Sequence, residues 1–141
     1  MTFVEEKHHH MQGHIFEYKI NVREEDIDQN EHVNNVVYLK WVQDVAIAHW
    51  NAASTDQMKE ENVWVISRHE IDYLNSCFLN DEIFAKTWVG QTEGVRSVRH
   101  VEIHNKTTGK IAAKVATTWI LLDPKTLRPK RISEELKQVF V

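Results

Sequence analysis

The stretch DIDQNEHVNNVVYLKW, Asp26 to Trp41, sets two aspartates, three asparagines and a histidine directly in front of an apolar run. That run continues to Ala53 without a glycine or a proline, and Lys40, Gln43, Asp44 and Asn51 line a narrow polar stripe at helical spacing. The pattern predicts a long helix over residues 36–53, covered on most of its circumference. Such a helix must be wrapped by something broad, and the rest of the chain has to supply it.

Upstream, residues 14–23 alternate, with Phe16, Tyr18, Ile20 and Val22 on one face and Glu17, Lys19, Asn21 and Arg23 on the other. This is the pattern of a half-buried strand. Downstream, residues 63–77 alternate again, with Val63, Val65, His69, Ile71 and Tyr73 set against Arg68, Glu70 and Asp72. Residues 82–92 and 95–105 read as two more strands around the turn residues TEG, and NKTTG, Asn105 to Gly109, is the next turn. Residues 110–122 place Ile111, Ala113, Val115, Trp119 and Leu121 on one face, and Asp123-Pro124 ends the strand. Ser133 then caps a short helix running to Val139. The expected order is strand, long helix, four strands in an antiparallel meander, short helix. One helix packed on the concave face of a sheet makes an α+β layer arrangement.

A chain of 141 residues is expected to fold as one domain and to bury about two thirds of its unfolded surface. Residues 1–13 read as a flexible segment and 14–141 as the folded unit. His8, His9, His10 and His14 either bind a metal, form an added affinity segment, or belong to a solvated mobile terminus; the last is the plainer reading, and no metal is expected. The single cysteine, Cys77, excludes an internal disulfide, which fits a reducing compartment. A formal charge of −4 without a dense basic face argues against nucleic acid as a partner. The longest apolar run is interrupted by Lys40, Asp44 and His49, so it reads as a buried helix and not a membrane span. With no apolar leader at the N-terminus, the expected location is cytoplasmic.

The loop before the helix admits two explanations. Small polar side chains satisfy the unpaired N–H groups of a first helical turn and favour its positive dipole end. Capping needs one such residue, however, and Asp26, Asp28, Asn30, His32, Asn34 and Asn35 are a surplus. The same exposed N–H groups also suit a developing oxyanion, with a carboxylate just upstream to act on water or a carbonyl.

These residues carry a resemblance. DIDQNEHVNNVVYLKW resembles the active-site loop and central helix of the hotdog-fold acyl thioesterases, and it fits the D-x-N-x-H-V-N-N-x-x-Y pattern of plant-type acyl-ACP thioesterases. More loosely, it resembles the D-x-D…Y loop of the 4-hydroxybenzoyl-CoA thioesterase group. The resemblance implies a hotdog fold and hydrolysis of acyl-CoA or acyl-ACP thioesters, in fatty acid metabolism, to a free acid and a thiol. It puts Asp28 at the catalytic carboxylate, as general base or nucleophile, with Asn30 and His32 as polar partners and the backbone N–H near Asn35 polarising the carbonyl. Asp26 falls at a non-catalytic acid, fit for local hydrogen bonding. Val36 and Tyr38 are expected beside the acyl group. Lys125, Arg128, Lys130 and Arg131 either meet the phosphates of coenzyme A or an acidic carrier-protein surface, or are solvated loop charge.

The implied partners are an acyl thioester, an acyl carrier protein and further copies of the chain, in a homodimer or homotetramer, with no membrane contact. No cofactor is implied beyond the coenzyme A or phosphopantetheine that the substrate carries. One position departs: the acyl-ACP enzymes place a glutamate before a cysteine on the strand after the helix, and EIDYLNSC has Ser76 before Cys77. Glu70 and Asp72 lie too far along the strand to replace it. A Cys77-His32-Asn30 nucleophile remains an alternative to Cys77 as a small buried core residue. A hotdog hydratase, whose own signature is missing, and a non-catalytic acyl- or partner-binding module are the competing functions.

Overall fold

The computed structural model describes residues 14–141; the expected flexible segment 1–13, with His8, His9 and His10, lies outside the described residues. The chain runs β1 (Phe16–Ile20), α1 (Asn35–Ala53), α2 (Asp56–Glu61), β2 (Val63–Tyr73), β3 (Ile83–Glu93), β4 (Arg96–Asn105), β5 (Lys110–Leu122) and α3 (Glu134–Gln138). A 3-10 turn, Glu24–Asp26, precedes α1.

The strands form one five-stranded antiparallel sheet in the order β1-β3-β4-β5-β2. Strands β3, β4 and β5 are the expected meander. Their turns place Gly94 at φ 64° and Gly109 at φ 75°, in the left-handed region open to glycine. The expected four-strand meander is corrected at β2, which does not pair with β3. It lies at the far edge on β5, from Val63 opposite Leu122 to Tyr73 opposite Ala113. The reason is geometric: α1 joins β1 to β2, the two outermost strands, so the helix has to cross the whole face of the sheet.

Asn34 caps α1 through its side-chain oxygen, which accepts the Val36 N–H at 3.0 Å. Tyr38, Trp41, Val42, Val45, Ala46 and His49 make its buried face, at the spacing of a single helical stripe. The sheet receives them with alternating small and large residues. One cross-strand row reads Ala85, Ile103, Ala113 and the next reads Thr87, Val101, Val115. All six are essentially buried, so the helix sits close against the sheet. The outer stripe is not purely polar as expected. Val36 is 65% exposed and Ile47 is 52% exposed, beside Lys40 and Gln43.

The C-terminal end of α1 has its own small core of Leu121, Ile132 and Leu136 packed with Trp50, Met58 and Trp64. Helix α2, which sequence periodicity overlooks, starts at Thr55, whose hydroxyl accepts the Met58 N–H. Strand β2 stops at Tyr73 and not at residue 77, because the Leu74 and Asn75 N–H groups both turn onto the Ala112 carbonyl.

Candidate active site

The loop ahead of α1 is built by its own hydrogen bonds. Asp28 N–H donates to the His32 carbonyl and Glu31 N–H to the Asp28 carbonyl, which puts Glu31 at φ 67°. The Asp28 carboxylate holds the same turn: its Oδ1 accepts from Asn30 N–H at 2.8 Å and from His32 N–H at 3.4 Å. Its Oδ2 makes no hydrogen bond among the described residues. Asp26 has the local role expected of it, because its Oδ2 accepts the Arg23 N–H at 2.9 Å.

Two tethers fix the loop to the body. Val33 N–H donates to the Cys77 carbonyl, and Asn34 N–H donates to the Asp26 carbonyl. The helix start therefore has Val36 N–H taken by the cap, while Asn35 N–H has no acceptor among the described residues. That free donor lies where the helix dipole is positive.

Asp28, Asn30, His32 and Asn35 all line one polar cavity of about 610 Å³. The opposite wall comes from the end of β2 and the residues after it. Tyr73 donates its hydroxyl to the Asn35 carbonyl at 3.2 Å, Asn75 donates to the Ile111 carbonyl at 2.8 Å, and Ser76 Oγ lies 3.3 Å from His32 Nδ1. Ser76, the departure from the acyl-ACP pattern, is thus the residue that holds the His32 ring. The edge of that ring also meets Phe78 at 5.0 Å between centroids. Sequence reading missed Tyr73 and Asn75, which carry no local signal.

The remaining expected residues divide. Tyr38 lines the cavity but is only 2% exposed. Burial pushes its pKa above the ordinary tyrosine range. Cys77 is fully buried and its thiol is pushed up by the same desolvation, so it is a core residue and not a poised nucleophile. Val36 points outward and is not part of the cavity wall.

Arg128, Lys130 and Arg131 are not brought to the cavity. They follow β5, where Lys130 Nζ donates to the Glu61 carbonyl at the end of α2, beyond the opposite end of α1. Among the described residues no cluster of three or more His, Cys, Asp or Glu side chains is placed to hold a metal, and no helix is long and apolar enough to cross a membrane.

A single long helix crossing one antiparallel sheet, with a polar cavity at its leading end, defines the hotdog class. The family described as the acyl-ACP thioesterase N-terminal domain matches residues 13–140, and this chain belongs to it. The chain is 22% identical over 134 residues to palmitoyl-acyl carrier protein thioesterase of Gossypium hirsutum, covering 89% of this chain and 32% of the relative. It therefore spans about a third of the length of the plant relatives it matches. It is 26% identical over 125 residues to the long-chain acyl-CoA thioesterase FadM of Escherichia coli, covering 85% of this chain and 92% of that protein. Among solved structures, a Thermus thermophilus thioesterase complexed with coenzyme A and Zn superposes with a TM-score of 0.77 at 25% identity, covering 88% of this chain and 90% of that one.

Proposed function

We propose that the protein hydrolyses acyl-CoA or acyl-ACP thioesters at the cavity ahead of α1. The observation that carries this reading is the pairing of a half-buried carboxylate with one free oxygen and an unpaired helix-start N–H in the walls of one cavity. Asn35 N–H donates a hydrogen bond to the carbonyl oxygen as negative charge develops on it; one preorganised donor of this kind contributes about 10² to 10³ in rate. Asp28 Oδ2 either takes a proton from water or attacks the carbonyl carbon itself. His32, oriented by Ser76, faces the departing sulfur or the incoming water, and Asn30 supports Asp28 through its backbone.

The two smaller alternatives have less support: the family match is to thioesterases, and the cavity is assembled rather than vestigial. A thiol-release assay over a chain-length series of acyl-CoAs, run on wild type and Asp28→Ala, tests the reading. Turnover in wild type and a fall of about 10² or more in the variant is expected. A folded wild-type protein that releases thiol from neither CoA nor carrier-protein thioesters would make the chain a binding module.

The working unit in this reading is a homodimer or a homotetramer. Strand β2 pairs with β5 on one side only, and Val36, Ile47, Val65 and Tyr73 stand exposed along α1 and this edge. A second copy adding its own β2 would cover them.

A further inference from the structure

Arg99 is 5% exposed, yet among the described residues it forms no ion pair with a carboxylate. Its Nη1 donates to His49 Nδ1 at 2.9 Å and to Thr87 Oγ1 at 3.0 Å, and its guanidinium carbon lies 5.1 Å from the centre of the Phe140 ring. His49 brings no negative charge: burial and the neighbouring guanidinium hold its pKa down at about 4, so at neutral pH it meets Arg99 as an uncharged imidazole. Arg99 itself is lowered by burial only to about 10, so it stays cationic at neutral pH. Its Nη2 and Nε hydrogens have no acceptor among the described residues, and a buried cation without an anion is costly.

These donors face a cavity of about 440 Å³, within the range of small-molecule sites. It meets α1 from Gln43 to Trp50, about 12 to 22 Å along the helix from Asn35. Its walls are chiefly aromatic and aliphatic, including Trp64, Trp119 and Phe140. The two buried side-chain atoms left without a hydrogen bond among the described residues, Trp119 Nε1 and Asn62 Oδ1, belong to residues lining this same cavity. The unpaired guanidinium donors of Arg99 thus stand at an apolar space, while these two atoms are closed off from solvent behind its wall.

We propose that this cavity binds an apolar ligand bearing a carboxylate, with the carboxylate on Arg99 and the hydrocarbon against the aromatic wall. Guanidinium and carboxylate match as a two-bond fork, and the low exposure of Arg99 strengthens the pair. The carboxylate has two possible sources, the far end of a dicarboxylic acyl group or a free fatty acid.

Calorimetric titration of the wild-type protein with decanoate and with decanol tests the proposal without requiring turnover, so it survives or fails apart from the thioesterase reading. A hydrogen-bonded charge predicts that decanoate binds about 10- to 100-fold more tightly than decanol. Arg99→Met is expected to abolish that preference. Arg99→Lys, which keeps the charge and loses the two-bond fork, is expected to retain part of it, so the result does not rest on one variant's folding.

The sources separate with CoA thioesters of decanoic and decanedioic acid. A lower KM for the dicarboxylic thioester, lost in Arg99→Met, assigns the carboxylate to the acyl tail. Equal KM values, with decanoate still preferred over decanol, assign it to a free acid. Decanoate bound no more tightly than decanol, a preference that survives Arg99→Met, or a cavity filled by a second copy so that neither ligand binds would overturn the proposal.

Discussion

Asparagine shares one carbonyl-type oxygen with aspartate but lacks the charge, and at position 28 the two properties serve different ends. Oδ1 accepts the Asn30 and His32 N–H groups that shape the loop, while the free oxygen faces the cavity. Asp28→Asn therefore separates architecture from chemistry. We expect its melting temperature to stay within about 2 °C of wild type while thioester hydrolysis falls by about 10² to 10⁴. Parallel thermal melts and initial-rate assays check both halves. His49 gives a second residue-scale expectation. It is 2% exposed, and burial, then the Arg99 charge and His14, lower its pKa from 6.5 to about 4. The folded protein thus binds fewer protons at this site than the unfolded chain. The resulting stability is present above pH 6.5 and is lost as the pH falls through about 4, to a total of about 3 kcal/mol. Urea unfolding of wild type and His49→Gln between about pH 7.5 and about pH 4.5 should give a shallower decline in the variant, by up to about 1.4 kcal/mol per pH unit.

At the scale of elements, α1 is legible from its residues because it is long, has neither glycine nor proline, and presents its buried side chains at one spacing. Its cap is legible too: Asn34→Ala should lower stability by about 1 kcal/mol, measured by denaturant unfolding, since it leaves the Val36 N–H without its acceptor. The strands are legible as strands, but the place of β2 is not. Alternation says which face of a strand is buried and nothing about which neighbour it takes. Helix α2, Asp56–Glu61, is six residues with no buried side chain, so it offers no apolar period to detect. The site follows the same division. Asp28, Asn30 and His32 lie in a turn too short to scatter them. Tyr73 reaches Asn35 across 38 positions of sequence and Ser76 reaches His32 across 44, contacts that only the crossing of α1 over the sheet creates.

For the whole molecule, the sheet has one short edge and one long one. Strand β1 spans five residues, whereas β2 spans eleven and presents Val65, 37% exposed, near the exposed Ile47 of α1. Light scattering should return at least twice the mass of one chain. Val65→Lys, which puts a charge on that edge, should shift the distribution toward monomer. The two ends of the described chain have a different consequence. The His14 N–H donates to the Phe140 carbonyl, so the first described residue and the end of the chain lie side by side. A short flexible bridge can therefore join residue 141 to residue 14 without spanning the body. Chain ends reopened in the exposed Lys106–Gly109 turn should then yield a circularly permuted protein with the same sheet order and the same loop ahead of α1. Far-UV circular dichroism and the thiol-release assay would read that rewiring directly.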